Sequence, residues 1–231
     1  MLIWQMHSAG GPMRSSLGIK TSFPSKSKND MEPIRCLATD VVEIEERGLE
    51  RIMTIELQIL DFIQNHLRNG VMDVVMKTIS FLGTGGAIWL LLAALMFLKK
   101  GTRISSVSMC LAIGIGVIVC SVIIKPIVAR LRPCDVNTAV QLLVSRPHDY
   151  SFPSGHTTAA FAVAACLLFC ANKWWPYFMV FAVIMAFSRL YLYVHFPTDV
   201  LAGCALGFIC GWAGYKLGRL PLWEKLLNLH K

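Results

Sequence analysis

Hydrophobic residues collect into long uncharged runs over the greater part of the chain. Residues 78–98 and 104–124 each form twenty-one positions without a charged side chain. A helix of that length rises about 30 Å, the thickness of the hydrocarbon core of a bilayer. Three further apolar runs follow at 157–172, 174–188 and 200–215. The pattern predicts an all-α, multi-pass membrane helix bundle with about five transmembrane helices.

Glycine and proline interrupt this pattern at defined places. The sequence Gly-Thr-Gly-Gly at 83–86 predicts a break in the first run, with a short helix before the crossing. Pro126 and Pro133 follow the second run and predict a kink and a helix end. The short polar connection at 134–151 is predicted to be a solvated loop.

The N-terminal 52 residues differ from the rest of the chain. They contain seven Lys/Arg, seven Asp/Glu and no periodic apolar face. Residues 1–52 are therefore predicted to be a disordered or dispensable extension, with a short helix near 39–51. Residues 53–231 form the predicted membrane-embedded domain. Its first segment, 54–69, has an apolar and a polar side, which predicts an N-terminal interfacial helix; a buried helix at the bundle entrance is the alternative.

Composition agrees with a membrane protein and narrows its partners. The chain is 55% hydrophobic and only 16% charged, which argues against a water-soluble domain. From Lys99 onward, thirteen Lys/Arg stand against four Asp/Glu, and the cations flank apolar runs. This placement favours anionic lipid and phosphate over nucleic acid. Six of the eight cysteines lie inside apolar runs and none forms a Cys-x-x-Cys pair, which indicates packing rather than metal binding.

One boundary between apolar runs carries the groups of a reaction centre. Arg189, His195 and Asp199 lie between the fourth and fifth runs. Pro197 and Thr198 predict a helix start, so Asp199 would lie in the first turn and reach the ring N–H of His195. That contact would fix the tautomer and leave the other ring nitrogen free to attack. A snorkelling arginine and a capping aspartate at a membrane interface are the alternative.

Two earlier stretches add the features of an anion site. Lys125 and Arg132 are seven residues apart, or two helical turns, so both can point the same way. Phe-Pro-Ser-Gly-His-Thr at 152–157 opens the third run. Free N–H groups, the Ser154 hydroxyl and the unsubstituted Gly155 can cradle an anion there. With His156 as a second histidine, these groups predict a phosphate site with its own acid and nucleophile.

The three stretches resemble a known signature. Lys-x6-Arg-Pro, Pro-Ser-Gly-His and Ser-Arg-x5-His-x3-Asp match the three motifs of the type 2 phosphatidic acid phosphatase superfamily of membrane lipid phosphatases, in order and at every signature position. The resemblance covers roughly the last two thirds of the chain. Each motif alone is short, but three in order between apolar runs are specific.

The resemblance implies a mechanism and a set of site residues. His195 would attack phosphorus to form a phosphohistidine, Asp199 would stabilise the positive ring, and His156 would protonate the leaving oxygen and then activate water. The phosphate would be bound by Lys125, Arg132, Ser154, Gly155 and Arg189. Fixed cations and N–H groups can neutralise the charge, so neither a metal nor a cofactor is expected.

In the fold that this resemblance implies, the fifth helix packs inside the bundle. Gly203, Gly207 and Gly211 recur there at four-residue steps and form a face that lets helices approach closely. We therefore expect this face to pack within the chain ahead of dimerisation. The oligomeric state is left open.

The motif residues fall at run boundaries that alternate along the chain, so they meet at one side of the membrane. The opposite connections, which are 99–103, Lys173 and the tail from Lys216, carry eight Lys/Arg and one acid. The catalytic side carries five Lys/Arg, and at least four of these are motif residues or their neighbours. The positive-inside rule then predicts a cell-membrane protein whose active site faces the periplasm or cell exterior.

The signature binds a phosphoryl group and says little about the lipid tail. A compact single domain resembles the bacterial undecaprenyl-diphosphate phosphatases, so hydrolysis of undecaprenyl diphosphate to undecaprenyl phosphate is the favoured function. Phosphatidic acid or phosphatidylglycerophosphate is the alternative substrate. A lipid phosphotransferase and a non-catalytic lipid-binding membrane protein are the alternatives of other classes. Vanadium haloperoxidases carry a similar residue set but are soluble, and the apolar runs argue against them.

Overall fold

The computed structural model describes the backbone of residues 28–227 and the side chains from Arg47 to Leu227, except those of residues 49 and 224. The described residues divide into two units, with the boundary between residues 55 and 56. In the first unit, residues 28–55 are helical, so the short helix predicted near 39–51 belongs to a longer one. Residues 1–27 of the predicted disordered segment lie outside the described residues.

The described residues form helices and no strand, which confirms the all-α prediction. The helices are α1 Lys28–Leu67, α2 Gly70–Gly83, α3 Ala87–Leu98, α4 Arg103–Val117, α5 Lys125–Val128, α6 Pro133–Val136, α7 Gly155–Phe169, α8 Trp175–Tyr191, α9 Pro197–Gly218 and α10 Pro221–Leu226. A π-helical stretch, Ile118–Ile124, joins α4 to α5 without a break.

Each of the five predicted crossings corresponds to a helical stretch. Gly70–Leu98, Lys100–Val136 and Pro197–Gly218 are long and apolar enough to cross a membrane. Helices α7 and α8 are apolar but shorter, with 15 and 17 residues. Ten of the 15 residues of α7 are buried, because α4, α8 and α9 pack around it. The prediction of a multi-pass membrane bundle is confirmed.

The glycine cluster breaks the first crossing as predicted. Gly85 and Gly86 adopt φ values of 64° and 71°, in the left-handed region that favours glycine, and a 3-10 turn separates α2 from α3. The helix before the break is longer than predicted. It begins at Gly70, because the Asn69 side chain accepts a hydrogen bond from the N–H of Met72 and caps the helix.

Two prolines shape the end of the second crossing, and one of the two predictions is wrong. Pro126 lacks an N–H and follows the widened π-helical stretch, where the regular hydrogen-bond pattern is disturbed. The helix then ends at Ala129, which has a left-handed φ of 49°. Pro133 was expected to end this helix, but it begins α6. A proline is accommodated at a first helical position because its missing N–H would have no partner there.

The small-residue face of α9 packs against α7, as predicted. A Cβ atom at Gly203 would lie 2.9 Å from the carbonyl oxygen of Ser154. At Gly207 it would lie 2.6 Å from the Cβ of Phe161, and at Gly211 2.7 Å from the carbonyl oxygen of Ala162. Glycine at these positions lets the two backbones approach, and this brings the start of α7 beside the start of α9.

Within the second unit, the last turns of α1 have two different sides. Ile59, Phe62 and Leu67 are exposed, as expected for an apolar side that faces lipid. The polar side bonds to the protein: the Gln64 amide donates to the carbonyl oxygen of Tyr191 at 2.6 Å. The predicted helix at 54–69 is therefore the end of a longer helix. Its polar side is hydrogen-bonded to the bundle instead of facing water.

Candidate active site

The three motifs meet at one cavity of about 590 Å³. It lies among the ends of α7 and α8, the π-helical stretch with α5, and the turn that separates α2 from α3. Six of the eight predicted site residues line it, namely Lys125, Arg132, Gly155, His156, Arg189 and His195. Asp199 and Ser154 are fully buried and do not line it.

His195 lies in the tight connection between α8 and α9, with both ring nitrogens directed at charged groups. Nδ1 is 3.6 Å from Oδ2 of Asp199, and Nε2 is 3.2 Å from Nη1 of Arg132. The Asp199 contact is longer than a good hydrogen bond but has the predicted direction. Nδ1 also lies 3.4 Å from the Ser151 hydroxyl, which donates to the same carboxylate. With the proton on Nδ1, the Nε2 lone pair faces the Arg132 guanidinium.

The surroundings of His195 favour the neutral ring. Burial lowers the pKa of His195, and the charges of Arg132 and Lys125 lower it further. Asp199 opposes this effect but does not cancel it, so the pKa falls to about 4. At neutral pH the imidazole is therefore uncharged and keeps a lone pair, which a nucleophile requires.

Asp199 is held by more partners than the sequence suggested. It is the third residue of α9, and its Oδ2 accepts the N–H of Phe196 at 2.8 Å. The same oxygen accepts the Ser151 hydroxyl, and Oδ1 accepts Nη1 of Arg130 at 2.6 Å. Because every bond is to a fixed donor, the carboxylate has one defined orientation toward His195.

Arg130, which is not a residue of the three motifs, links Asp199 to the end of α1. It forms an ion pair with the buried Glu56, donates to the Thr198 hydroxyl at 2.7 Å and lies 4.1 Å from the ring centre of Phe196. Glu56 in turn accepts the N–H of Thr198 at 3.0 Å. The signals available in the sequence were the position of Arg130 two residues before Arg132 and the acid on the interfacial helix.

The three predicted cations are buried in the bundle. Lys125, Arg132 and Arg189 are 6%, 3% and 3% exposed. Arg132 is fixed by the carbonyl oxygens of Val194 at 2.7 Å and Asp149 at 2.8 Å. Arg189 donates Nη2 to the hydroxyl of its neighbour Ser188 at 2.9 Å. Buried cations beside a cavity create a strong attraction for an anion such as phosphate.

The loop at 134–151 is not the solvated connection that was expected. Its Asp149 accepts Nη2 of Arg132 at 2.7 Å with one oxygen and pairs with the ammonium of Lys125 through the other. Partial burial raises the pKa of Asp149, but the Lys125 hydrogen bond and the Arg132 charge outweigh it, and the pKa falls to about 2. Asp149 is thus an anion on two predicted phosphate-binding cations.

His156 begins α7 and faces the cavity. Its Nε2 is buried and has no hydrogen-bond partner among the described residues. The break after α2 approaches it closely: a Cβ at Gly83 would lie 2.9 Å from the ring Cδ2. This glycine therefore leaves room for the imidazole at the cavity wall. A buried ring nitrogen without a protein partner is suited to exchange a proton with a substrate.

The Pro-Ser-Gly-His turn contributes unequally to the cavity. Gly155 lines it, and a side chain there would meet only the sulfur of Cys120 at 3.8 Å. The Ser154 hydroxyl instead accepts from the Thr157 hydroxyl at 2.9 Å, and its N–H donates to the carbonyl oxygen of Asp199 at 3.1 Å. This geometry gives Ser154 a part in joining the turn to α9, and its predicted contact with phosphate stays a prediction.

Comparisons with known proteins agree with the motifs. The family model described as the PAP2 superfamily matches residues 105–220. The undecaprenyl-diphosphatase of Sulfolobus acidocaldarius is 36% identical over 52% of this chain and 58% of its own length. The lipid A 4'-phosphatase of Bacteroides thetaiotaomicron is 28% identical over 72% of this chain and 78% of its own length. The undecaprenyl-diphosphatase BcrC of Bacillus subtilis is 31% identical over 66% of this chain and 78% of its own length.

The fold is also similar to that of a solved structure. The crystal structure of Aquifex aeolicus LpxE superposes with a TM-score of 0.60 at 29% identity, covering 69% of this chain and 94% of that one.

Proposed function

The chain belongs to the PAP2 superfamily of membrane lipid phosphatases and is a hydrolase; from that premise we propose that it converts undecaprenyl diphosphate to undecaprenyl phosphate and inorganic phosphate. The observation that carries the proposal is one cavity that brings together two histidines and three buried cations. The proposed first step is attack on phosphorus.

In that step, Nε2 of His195 forms a bond to the terminal phosphorus as the bond from phosphorus to the bridging oxygen breaks. The ring becomes positive, and the nearby Asp199 carboxylate stabilises it through the Nδ1 proton. His156 donates a proton to the departing oxygen of the lipid phosphate. The products of the half-reaction are undecaprenyl phosphate and a phosphohistidine.

The second step reverses the roles of acid and base. His156, now neutral, takes a proton from water as the water oxygen attacks the phosphohistidine. The bond between phosphorus and Nε2 breaks, and inorganic phosphate is released. In both steps Lys125, Arg132 and Arg189 neutralise the phosphoryl oxygens, which would otherwise repel the attacking group.

The choice of substrate is supported by the names of relatives. Two of those described above are undecaprenyl-diphosphatases, from an archaeon and from a bacterium. The third is a lipid A 4'-phosphatase, and its name favours a lipid with a phosphate monoester as the second candidate. The chain is a membrane protein, and the charge distribution of the loops supports a cavity that opens to the periplasm or cell exterior.

A substrate comparison tests this function. Purified protein in detergent would be given undecaprenyl diphosphate, phosphatidic acid and phosphatidylglycerophosphate at equal surface concentration, with inorganic phosphate as the readout. We expect the highest kcat/KM for the diphosphate, without an added acceptor. A higher value for a monoester would contradict the proposed substrate. Consumption of the lipid only when an acceptor is added, with the phosphoryl group recovered on that acceptor and no inorganic phosphate released, would indicate a phosphotransferase.

Sidedness has its own experiment. A cysteine replacing Ser145, in the loop beside the cavity, should react in intact cells with a maleimide that cannot cross membranes. Cys134 would be replaced first, because it belongs to the same connection. A cysteine replacing Gly101 is the control for the opposite side. Labelling at 101 and not at 145 would reverse the proposed orientation.

A further inference from the structure

The cavity contains one acid that the proposed mechanism does not use. Asp149 lines the cavity with Lys125, Arg132 and Arg189. Among the side chains that the structure describes, Asp149 is the acid that pairs with Lys125 and Arg132. Asp199, the acid beside His195, pairs with Arg130 instead. Asp149 therefore supplies the negative charge that balances the phosphate-binding cations.

The carboxylate of Asp149 occupies the position that phosphoryl oxygens would need. One oxygen is 2.7 Å from Nη2 of Arg132, and the other pairs with the ammonium of Lys125. Nη1 of the same guanidinium is 3.2 Å from Nε2 of His195. A phosphoryl group in reach of His195 would use these same two cations with two of its own oxygens. The carboxylate and the phosphate cannot both hold them.

Asp149 is also placed to leave. Its side chain is 57% exposed, whereas those of Lys125 and Arg132 are 7% and 4% exposed. The cations are fixed in the bundle, and Arg132 keeps its bond to the carbonyl oxygen of Val194 independently of the acid. If the Asp149 side chain rotated into water, Lys125 and Arg132 would lose this acid and could bind phosphate, while they themselves stay in position.

We propose that Asp149 is a built-in competitor for the phosphate site: it holds Lys125 and Arg132 between turnovers, gives way to the substrate and displaces the product phosphate. This inference rests on the proposed role of these two cations in binding phosphate. It does not depend on which lipid carries the phosphate. Three buried cations would otherwise retain inorganic phosphate, and the tethered carboxylate limits that retention.

The expected size of the effect follows from occupancy. If the carboxylate holds the cations nine tenths of the time, the apparent affinity for phosphate is about tenfold weaker than the intrinsic affinity. The low pKa of about 2 for Asp149 keeps it ionised at neutral pH, as the competition requires. Removing its charge while keeping its shape, as in Asp149→Asn, should therefore strengthen phosphate binding about tenfold.

The experiment measures binding of inorganic phosphate to the full chain by calorimetry in detergent micelles, at pH 7 and fixed ionic strength. Asp149→Asn should bind about tenfold more tightly than the unmodified protein. Asp149→Glu, which restores the charge, should return toward the original affinity. The matched control is Asp135→Asn, since the side chain of Asp135, in α6, pairs with Arg146 at 3.6 Å instead of with Lys125 or Arg132.

Unchanged or weaker phosphate binding by Asp149→Asn would overturn the proposal, because it would make the acid a support for the cations rather than their competitor. Asp149→Ser provides the same measurement if the asparagine variant does not fold. Orthovanadate as a second probe should show the same order of affinities. Phosphate binding is measured without lipid. The result therefore tests the role of Asp149 even if undecaprenyl diphosphate is not the substrate.

Discussion

The two sides of the cavity neutralise their charges in different ways. The nucleophile side consists of His195, Asp199, Arg130 and Glu56. Its central acid, Asp199, is fully buried and accepts hydrogen bonds from several elements. The phosphate side, which consists of Lys125, Arg132 and Asp149, has buried cations and a half-exposed acid.

This difference follows from what each side must do. The nucleophile has to keep one ring orientation and one tautomer throughout turnover, so its partners do not exchange. The phosphate side binds and releases a charged group in every cycle, so its counter-ion has to be replaceable. The comparison predicts that changes on the nucleophile side lower the rate, while removal of the Asp149 charge alters affinity.

The largest effect is expected from His195→Ala, because it removes the group that forms the bond to phosphorus. We expect kcat to fall by about 10⁴-fold or more. Brief incubation with phosphate-labelled substrate should label the unmodified protein, in a form labile to acid and stable to base, but not the variant. Turnover by His195→Ala at the normal rate would contradict the nucleophile assignment.

Arg132→Lys should cause the next largest loss, because Arg132 belongs to both sides of the cavity. Its Nη1 faces His195 and Val194 while its Nη2 faces Asp149, and one ammonium cannot replace this planar fork. We expect kcat/KM to fall by about 10²-fold. The matched control is Arg146→Lys, whose guanidinium is about half exposed and binds the carbonyl oxygen of Cys134. A similar loss in both variants would contradict this reasoning.

Arg130→Ala tests whether the hydrogen bonds around Asp199 hold the nucleophile in position. It removes one donor from Asp199 and leaves the buried Glu56 without its ion pair. As a positioning residue, Arg130 should affect kcat about 10- to 100-fold with little change in KM. Arg130→Lys should restore part of the rate. Arg68→Ala, which removes bonds to Gln64 and Gln141, is the control. An effect on KM alone would place Arg130 on the phosphate side.

The sequence predicted the features that depend on local pattern. Uncharged runs predicted the helices, and the glycines at 83–86 predicted the break that now lies beside His156. Motif spacing predicted the direction of the contact between His195 and Asp199. The assigned catalytic roles are still predictions, because geometry alone does not test them.

Contacts between distant segments were beyond the sequence pattern. Glu56 and Arg130 are 74 positions apart, and Asp149 reaches Lys125 across 24. The local pattern gives the position of each charge but not its partner, since an exposed loop acid and a helix acid look like solvated charges. The π-helical stretch before Lys125 was missed for a related reason, because the apolar run around it has the composition of a regular helix.

The smallest effect is expected in the pH dependence of kcat/KM. It depends on both sides of the cavity, because the charge of Arg132 acts on His195. The acid limb of kcat/KM reports the pKa of the base that must be neutral in the free enzyme. Burial and Arg132 lower the pKa of His195 from 6.5 to about 4, so the ring loses its proton at lower pH than usual. As pH falls from 7 to 5, kcat/KM should decline by less than about twofold, whereas an unshifted histidine would lose more than about tenfold.

Two variants sharpen this test, with phosphohistidine formation in a single turnover as the readout so that product release does not contribute. Arg132→Lys keeps the positive charge and should leave the acid limb near its original pH, although the rate is lower. Arg132→Gln removes a charge that lowers the pKa, so its acid limb should move toward neutral pH. An acid limb near pH 6.5 in the unmodified protein would mean that the His195 ring is solvated and free of the Arg132 charge. That result would contradict the buried, hydrogen-bonded surroundings described for the nucleophile side.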